Sequence, residues 1–342
     1  IENLNTVLDD TKSLTLASGD RLGMPKTLKL VLEVGNLDNA SPATVSRVGM
    51  VYIGENSLGW KPCFQAWLFK YEMKDRLKTV LERLFEAHID PILNFITLHC
   101  EKKMPLADSN LLINTLKLLD GLFLSYPNIA NMSEKAIERI FIFGLIWGVG
   151  GVIGFEDRQK LHQYMQAERR LEIPAVDSVD TVYEFTVDEQ GEWQHWKSRV
   201  PVYKYPTDHT PEFNSILVPT VDSVRTTYLI NLIAKQKLGV LLTGESGTAK
   251  SVTIQEYMRN LDVVKYKNKF MSFSSATTPE LVQTAVFTAM EKRITNVYGP
   301  PLNRLMNIFI DDISMPEINT WGDQITNELV RQLVEDGGFY SL

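Results

Sequence analysis

An apolar run that ends in a glycine-rich turn and a Lys-Ser pair constrains this chain more than any other feature. It reads Gly239-Val240-Leu241-Leu242-Thr243-Gly244-Glu245-Ser246-Gly247-Thr248-Ala249-Lys250-Ser251. Strand, turn and helix in that order predict a loop whose backbone N–H groups converge on a polyphosphate, with a helix N-terminus behind it. Small residues are needed because the main chain must come close to phosphate oxygens, and Gly244 and Gly247 tolerate φ > 0. Gly244, Glu245, Ser246, Gly247, Thr248, Ala249, Lys250 and Ser251 are therefore the expected nucleotide contacts, and Leu217 and Val218 upstream are counted with them. Lys250 is expected to reach the β- and γ-phosphates, and the Ser251 hydroxyl to ligate Mg²⁺. The usual pattern has glycine where this chain has Ala249, so strain is expected there.

A glycine-rich turn alone is only a turn. Here it is answered by Asn307-Ile308-Phe309-Ile310-Asp311-Asp312, where Leu305, Met306, Ile308, Phe309 and Ile310 predict a strand buried on both faces of a parallel sheet. Asp311 at its carboxyl end is expected to hold the Mg²⁺ of a bound ATP or ADP, placing the ion against the phosphates. The next position is normally a Glu that polarises the attacking water, and here it is Asp312. Its side chain is one methylene shorter, about 1.5 Å of reach, and misplacement on that scale lowers a rate substantially. The site is expected to bind nucleotide better than it hydrolyses it.

Composition narrows the rest. With 342 residues, 44% apolar and 23% charged, the chain suits two or more globular domains. A net charge of −7 and the lack of a basic stripe with interleaved aromatics argue against a nucleic-acid partner. Cys63 and Cys100 sit in no metal-ligand or disulfide spacing, and His99 reads as a core residue. The N-terminal residues show no signal-peptide pattern. Ile140 to Phe155 carries no charge but falls short of the ~20 residues that span a bilayer, so a buried helix followed by a turn is expected. Its Gly148-Val149-Gly150 and Gly154 mimic a dinucleotide fingerprint without the strand–turn–helix context.

Along the chain, residues 1–57 predict short strands and turns. Apolar segments at Leu14–Leu16, Leu28–Val34 and Met50–Ile53 are expected strands, and Ser41 and Pro42 are expected to start a short helix ending near Arg47. Residues 58–170 predict helices over Glu72–His88, Asp108–Leu124 and Ser133–Trp147, with Leu77, Val80, Leu81, Leu84 and Phe85 on one apolar face. Residues 171–210 read as a linker with a hairpin that turns at Asp188–Gly191, in which Trp193 and Trp196 pack. From 211 onward, helices over Ser251–Asn260, Thr278–Glu291 and Trp321–Glu335 alternate with strands over Lys269–Ser274 and Leu305–Ile310. The fold class is α/β, a mostly parallel sheet flanked by helices, with an all-α subdomain between two α/β parts.

Ile1-Glu2-Asn3-Leu4-Asn5 repeats the character of Ile310-Asp311-Asp312-Ile313-Ser314. The strings Ile1-Glu2-Asn3-Leu4-Asn5-Thr6-Val7-Leu8-Asp9-Asp10, Asn39-Ala40-Ser41-Pro42-Ala43-Thr44-Val45-Ser46-Arg47, Phe273-Ser274-Ser275-Ala276-Thr277-Thr278-Pro279 and Ile308-Phe309-Ile310-Asp311-Asp312 are more specific than a phosphate loop. Over essentially its whole length the chain resembles the axonemal dynein heavy chains, in particular their outer-arm type, at the second and third P-loop AAA+ modules of the motor ring. The resemblance makes 1–57 the C-terminal part of the second module's α/β large subdomain and 58–170 its helical small subdomain. It makes 171–210 a linker and 211–342 the third module's large subdomain, truncated.

The same resemblance implies the remaining roles. Glu2 and Asn3 fall at the second module's acidic pair, where Asn3 cannot act as a base, and Asn36 falls near the first sensor position, so that site holds nucleotide without turnover. Arg47 matches the arginine finger that reaches into the preceding module, the main motor ATPase. The implied partners are microtubules, through parts outside this sequence, the other AAA+ modules, and dynein intermediate and light chains, with no nucleic acid and no membrane. The implied location is the cytoskeleton of a cilium or flagellum, its axoneme. Two alternatives stay open: an AAA+ remodelling ATPase of midasin type with Asp312 fully competent, and a scaffold that binds no nucleotide.

Overall fold

Turn and cap chemistry dictates the elements of Ile1–Ser57, the first of two compact units. The computed structural model describes the chain except residues 1–3, 11, 17, 39, 55–56, 71–74, 177–179, 206–215, 295–296 and 340–342. Helix α1 (Asn5–Leu8) leads to an antiparallel pair, β1 (Ser13–Thr15) and β2 (Arg21–Gly23), with Gly19 at φ +90° in the turn between them. The Ser41 side chain accepts from Thr44 N–H and caps α2 (Pro42–Val45), with Pro42 at its first position as predicted. The expected strands Leu28–Val34 and Met50–Ile53 do not form. An extended segment becomes a strand only beside another, and among the described residues neither has one; Val51 and Tyr52 are almost fully exposed.

The second unit, Leu58–Leu342, holds the main core. Helices α3 (Lys61–Lys70), α4 (Asp75–His99), α5 (Asp108–Ser125), α6 (Glu134–Gly148) and α7 (Phe155–Ala167) build it. Leu77, Val80, Leu81, Leu84 and Phe85 are all buried, as the helical spacing predicts. Helix α4 does not stop at His88 but runs through Pro91, because Ile89, Ile92, Leu93 and Ile96 continue the buried stripe for three more turns. Helix α6 is capped by Ser133 and is buried on all sides from Ile140 to Ile146.

The uncharged glycine-rich segment is a packing device. A Cβ at Gly148 would lie 2.2 Å from Thr115 Oγ1, and one at Gly144 would lie 2.8 Å from Leu119, so these glycines bring α6 against α5. Gly150 leaves room for the Tyr183 hydroxyl, which donates to the Gly150 carbonyl at 3.0 Å. No helix among the described residues is long and apolar enough to cross a membrane.

Residues 182–199 are not an extended linker. Strands β3 (Phe185–Val187) and β4 (Trp193–His195) form the predicted hairpin, and Val182, Tyr183, Val187 and Trp196 are buried in the helical core. The Asp188 carboxylate accepts from Gln190 and Glu192 N–H and shapes the turn. Trp193 donates to the Glu172 carbonyl, and Trp196 packs on Phe143 and Tyr228, so both tryptophans pack as expected.

Helix α8 (Val221–Ala234), which the sequence pattern did not reveal, is held by a Thr220–Ser223 capping box and packs on α5 so closely that Gly121 faces the Leu232 carbonyl. The α/β part follows: α9 (Lys250–Arg259), β5 (Tyr266–Ser272), α10 (Pro279–Phe287), the unpredicted hairpin β6 (Glu291–Ile294) and β7 (Val297–Gly299), β8 (Leu305–Asp311) and α11 (Ile325–Glu335). Strands β5 and β8 pair in parallel from Tyr266–Leu305 to Ser272–Asp311. The fold is α/β with an all-α part, as predicted. The expectation of a strand buried on both faces does not hold for β8: it has one neighbour among the described residues, and of its residues only Phe309 is buried. A smaller core of Phe273, Val282 and Leu329 joins β5, α10 and α11.

Two outcomes follow from this packing. Gly148→Ala is expected to lower stability by about 1–3 kcal/mol, read as a lower urea midpoint at unchanged slope. His88, held at about 4 mainly by burial and then by Arg169, and His162, lowered by burial, stay neutral in the fold, and His162 Nδ1 accepts from Val182 N–H. Both lie below the ordinary 6.5, so the unfolded chain takes up protons first as pH falls. Stability is full above that value and is lost as pH drops from 6.5 towards 4; the melting temperature is expected to fall through that window, and less steeply in His88→Gln.

Candidate nucleotide-binding site

The loop 244–249 leads directly into α9, so the first helical N–H groups face the turn. Gly247 takes φ +80°, a conformation that suits glycine, and a Cβ there would meet nothing within 4 Å. Ala249, the N-cap of α9, sits at φ +59°, ψ 20°, in the left-handed region that costs a residue with a Cβ about 1–2 kcal/mol. The strain expected from the missing glycine is therefore present. Thr253 holds that residue from below: its buried hydroxyl and its N–H both donate to the Ala249 carbonyl.

Lys250 folds over the turn. Its Nζ donates to the Gly244 carbonyl at 3.0 Å, the Glu245 carbonyl at 2.5 Å and Thr248 Oγ1 at 3.1 Å, while Thr248 Oγ1 donates to the Glu245 carbonyl. Glu245, Ser246, Gly247 and Thr248 are exposed. The ammonium group is thus at the centre of the loop.

Ser251 and Asp311 meet. The Ser251 hydroxyl donates to Asp311 Oδ1 at 2.9 Å, joining the first turn of α9 to the carboxyl end of β8. The same oxygen accepts from Asp312 N–H at 3.2 Å, which holds the carboxylate against its own strand end. Asp312 takes φ +55°, which Asp tolerates better than most residues, and its exposed carboxylate has no hydrogen bond or ion pair among the described residues. A hydroxyl and a carboxylate on adjoining elements form an all-oxygen donor set beside a lysine. That set suits Mg²⁺, which binds through few protein oxygens and completes its shell with phosphate and water. The residues present therefore fit a Mg²⁺–nucleotide.

The rest of the predicted set is less concentrated. The apolar run Gly239–Thr243, expected as a strand, pairs with none among the described residues, and Val240 and Leu241 are exposed. Leu217 is half-buried and Val218 exposed, in the segment just ahead of α8. Helix α8, which follows them, meets α9 where Asn231 accepts from the Tyr257 hydroxyl at 3.5 Å. Glu2 and Asn3 lie outside the described residues. Asn36 is exposed and accepts from Asp38 N–H. Arg47 follows α2, where its Nε donates to Asp9 Oδ1 at 2.5 Å and its Nη1 to the Ala43 carbonyl at 2.6 Å. Sequence reasoning missed Asp9 and Thr253, because nothing in a string of residues shows which distant side chain it will meet.

The arrangement has known relatives. The family described as the P-loop containing dynein motor region matches residues 205–342, and the dynein heavy chain AAA lid domain matches residues 81–198. Dynein axonemal heavy chain 8 of Homo sapiens is 46% identical over 100% of this chain, which covers 8% of that protein. Dynein axonemal heavy chain 5 of Rattus norvegicus is 42% identical over 100% of the chain and 10% of its own length. The dynein gamma chain of the flagellar outer arm of Chlamydomonas reinhardtii is 41% identical over 100% of the chain and 8% of its own length. The chain thus spans about a tenth or less of the curated relatives it matches. The chain belongs to the dynein heavy chain family and aligns over its own length with axonemal members of it.

Proposed function

We propose that this chain is part of an ATP-driven microtubule motor of the ciliary or flagellar axoneme, and that residues 211–342 form a regulatory nucleotide site in it. The observation that carries the reading is the Ser251–Asp311 bridge beside Lys250, because it sets a metal-ligand pair against a phosphate-binding loop. In this reading Gly244 to Ser251 hold ATP or ADP, with Leu217 and Val218 as further contacts. Ser251 and Asp311 hold Mg²⁺, which when bound neutralises phosphate charge. Lys250 exchanges the loop carbonyls for phosphate oxygens. Asp312 is the water-polarising residue, one methylene short, so turnover at this site is slow.

The remaining assignments follow the same reading. Residues 1–57 and 58–170 are the large and small subdomains of the second AAA+ module, and 171–210 lead into the third. Arg47 serves the preceding module as an arginine finger, and Glu2, Asn3 and Asn36 mark a second-module site without turnover. Microtubules are engaged by parts of the motor outside this sequence, and intermediate and light chains assemble with the same heavy chain. Nucleotide occupancy at the third site acts by opening or closing the cleft between modules and so shifting rigid-body ring geometry.

Three variants of the heavy chain test the site. Lys250→Ala is expected to weaken nucleotide binding at this module about a hundredfold, close to 2.7 kcal/mol, in equilibrium titration with a fluorescent nucleotide; unaltered affinity would favour a scaffold that binds none. Asp312→Glu is expected to raise single-site turnover tenfold or more, whereas a wild-type rate that is already fast and does not change contradicts the regulatory assignment. Ala249→Gly is expected to relieve backbone strain and raise the thermal midpoint, by up to about 1 kcal/mol of stability, with nucleotide affinity equal or higher.

A further inference from the structure

We infer that Asp9 is the positioning residue that presents Arg47 to the neighbouring module's nucleotide. The inference rests on the proposed finger role of Arg47 and adds to it the group that aims the guanidinium.

Arg47 is fixed at two nitrogens by anchors of different origin. Its Nε donates to Asp9 Oδ1 at 2.5 Å, across 38 residues of chain, and its Nη1 donates to the carbonyl of Ala43, one helical turn back, at 2.6 Å. Nη2 has no partner among the described residues, and the side chain remains one-third exposed. A guanidinium held this way has its plane set, with its outer edge left to donate.

The element that carries Arg47 is itself docked on α1. The Thr44 hydroxyl, on a residue only 3% exposed, donates to Asn5 Oδ1 at 2.9 Å and also contacts Ser41 Oγ at 3.0 Å. Asn5 and Asp9 bracket α1, so two side chains at its ends grip α2 and the arginine that follows it. Stability alone is a weak reason for the Asp9–Arg47 pair, since exposed ion pairs contribute only about 0–1 kcal/mol. Orientation is the stronger one: a long side chain that must place charge on a phosphate loses rate when its geometry drifts by an ångström.

The competing reading of the same contact is a latch, in which Asp9 neutralises Arg47 and holds it away from phosphate. The two differ in sign. A positioning group lowers turnover when removed; a latch raises it.

The test uses the intact heavy chain and steady-state ATPase kinetics. Arg47→Ala is expected to lower kcat about 10³-fold, and Asp9→Ala about tenfold to a hundredfold, with KM within about twofold of the parent because ground-state binding is untouched. Asp9→Glu, which restores a carboxylate, is expected to recover most of the rate, and Asp9→Asn, which keeps an acceptor without charge, to fall between. The Asp9→Ala/Arg47→Ala pair is expected to be no slower than Arg47→Ala alone, because the two act as one unit. If Arg47→Ala leaves kcat unchanged, the finger assignment itself fails. If Arg47→Ala is slow while Asp9→Ala or Asp9→Asn is as fast as the parent or faster, the finger stands and the positioning inference is overturned. Should Asp9→Ala not fold, the order Asp9→Glu above Asp9→Asn decides the same question, and equal rates at the parental level overturn it.

Discussion

Ser251 and Asp311 stand 60 positions apart, and one hydrogen bond of 2.9 Å between them makes a site out of what would otherwise be a turn and a strand end. Everything chemical in the second unit is arranged around that bond. It fixes the first turn of α9 against the carboxyl end of β8, and with it the lysine one residue earlier. Two local contacts keep it in register: Thr253 clamps the left-handed Ala249 from inside α9, and the Asp312 N–H steadies the aspartate from the residue just past β8. A strained residue persists only where its surroundings over-determine it, and Ala249 is bonded through its carbonyl by both donors of Thr253.

The helical part relies on a different constraint, close approach without side chains. Gly144 and Gly148 let α6 touch α5, and Gly121 lets α5 touch the backbone of α8. Helix α8 then packs on α9, while its Leu232 belongs to the main core and its Gln236 neighbour donates to the Lys117 carbonyl. The core that buries Phe85, Phe141 and Trp196 therefore reaches α8 through Leu232, and α8 packs on the helix behind the phosphate loop. Cores packed at crystal-like density transmit displacement rather than absorb it.

Much of this was legible in the residues, and the exceptions have physical causes. Caps marked their helices: Ser41, Ser133 and Thr278 each accept the N–H three residues on. The helix from Asp108 followed from periodicity, and β8 from its apolar run, though not its partial burial. Helix α8 escaped because Val221, Val224, Thr226, Thr227, Ile230 and Ile233 are β-branched and its apolar residues face more than one neighbour, which blurs the 3.6-residue signal. Pro91 masks the continuation of α4, where tertiary burial outweighs the lost backbone bond. The runs Leu28–Val34, Met50–Ile53 and Gly239–Thr243 carry strand-like residues, but a strand is a property of a pair, which composition cannot supply. In the site, the loop and the acidic strand could be read from spacing. The grip of Asp9 on Arg47 could not, because it depends on where two short helices meet.

The three bonds from the Lys250 ammonium to Gly244, Glu245 and Thr248 also bear on which anions the loop favours. A lysine already saturated by oxygen acceptors gains nothing from an anion that supplies fewer or weaker ones, so capture becomes an exchange reaction whose driving force grows with the charge and oxygen count of the incomer. Chloride or a lone carboxylate offers too little to displace two carbonyls and a hydroxyl. A chain of phosphoryl groups offers more, so a polyphosphate held as proposed would be selected by valence before any contact with a base or sugar is made.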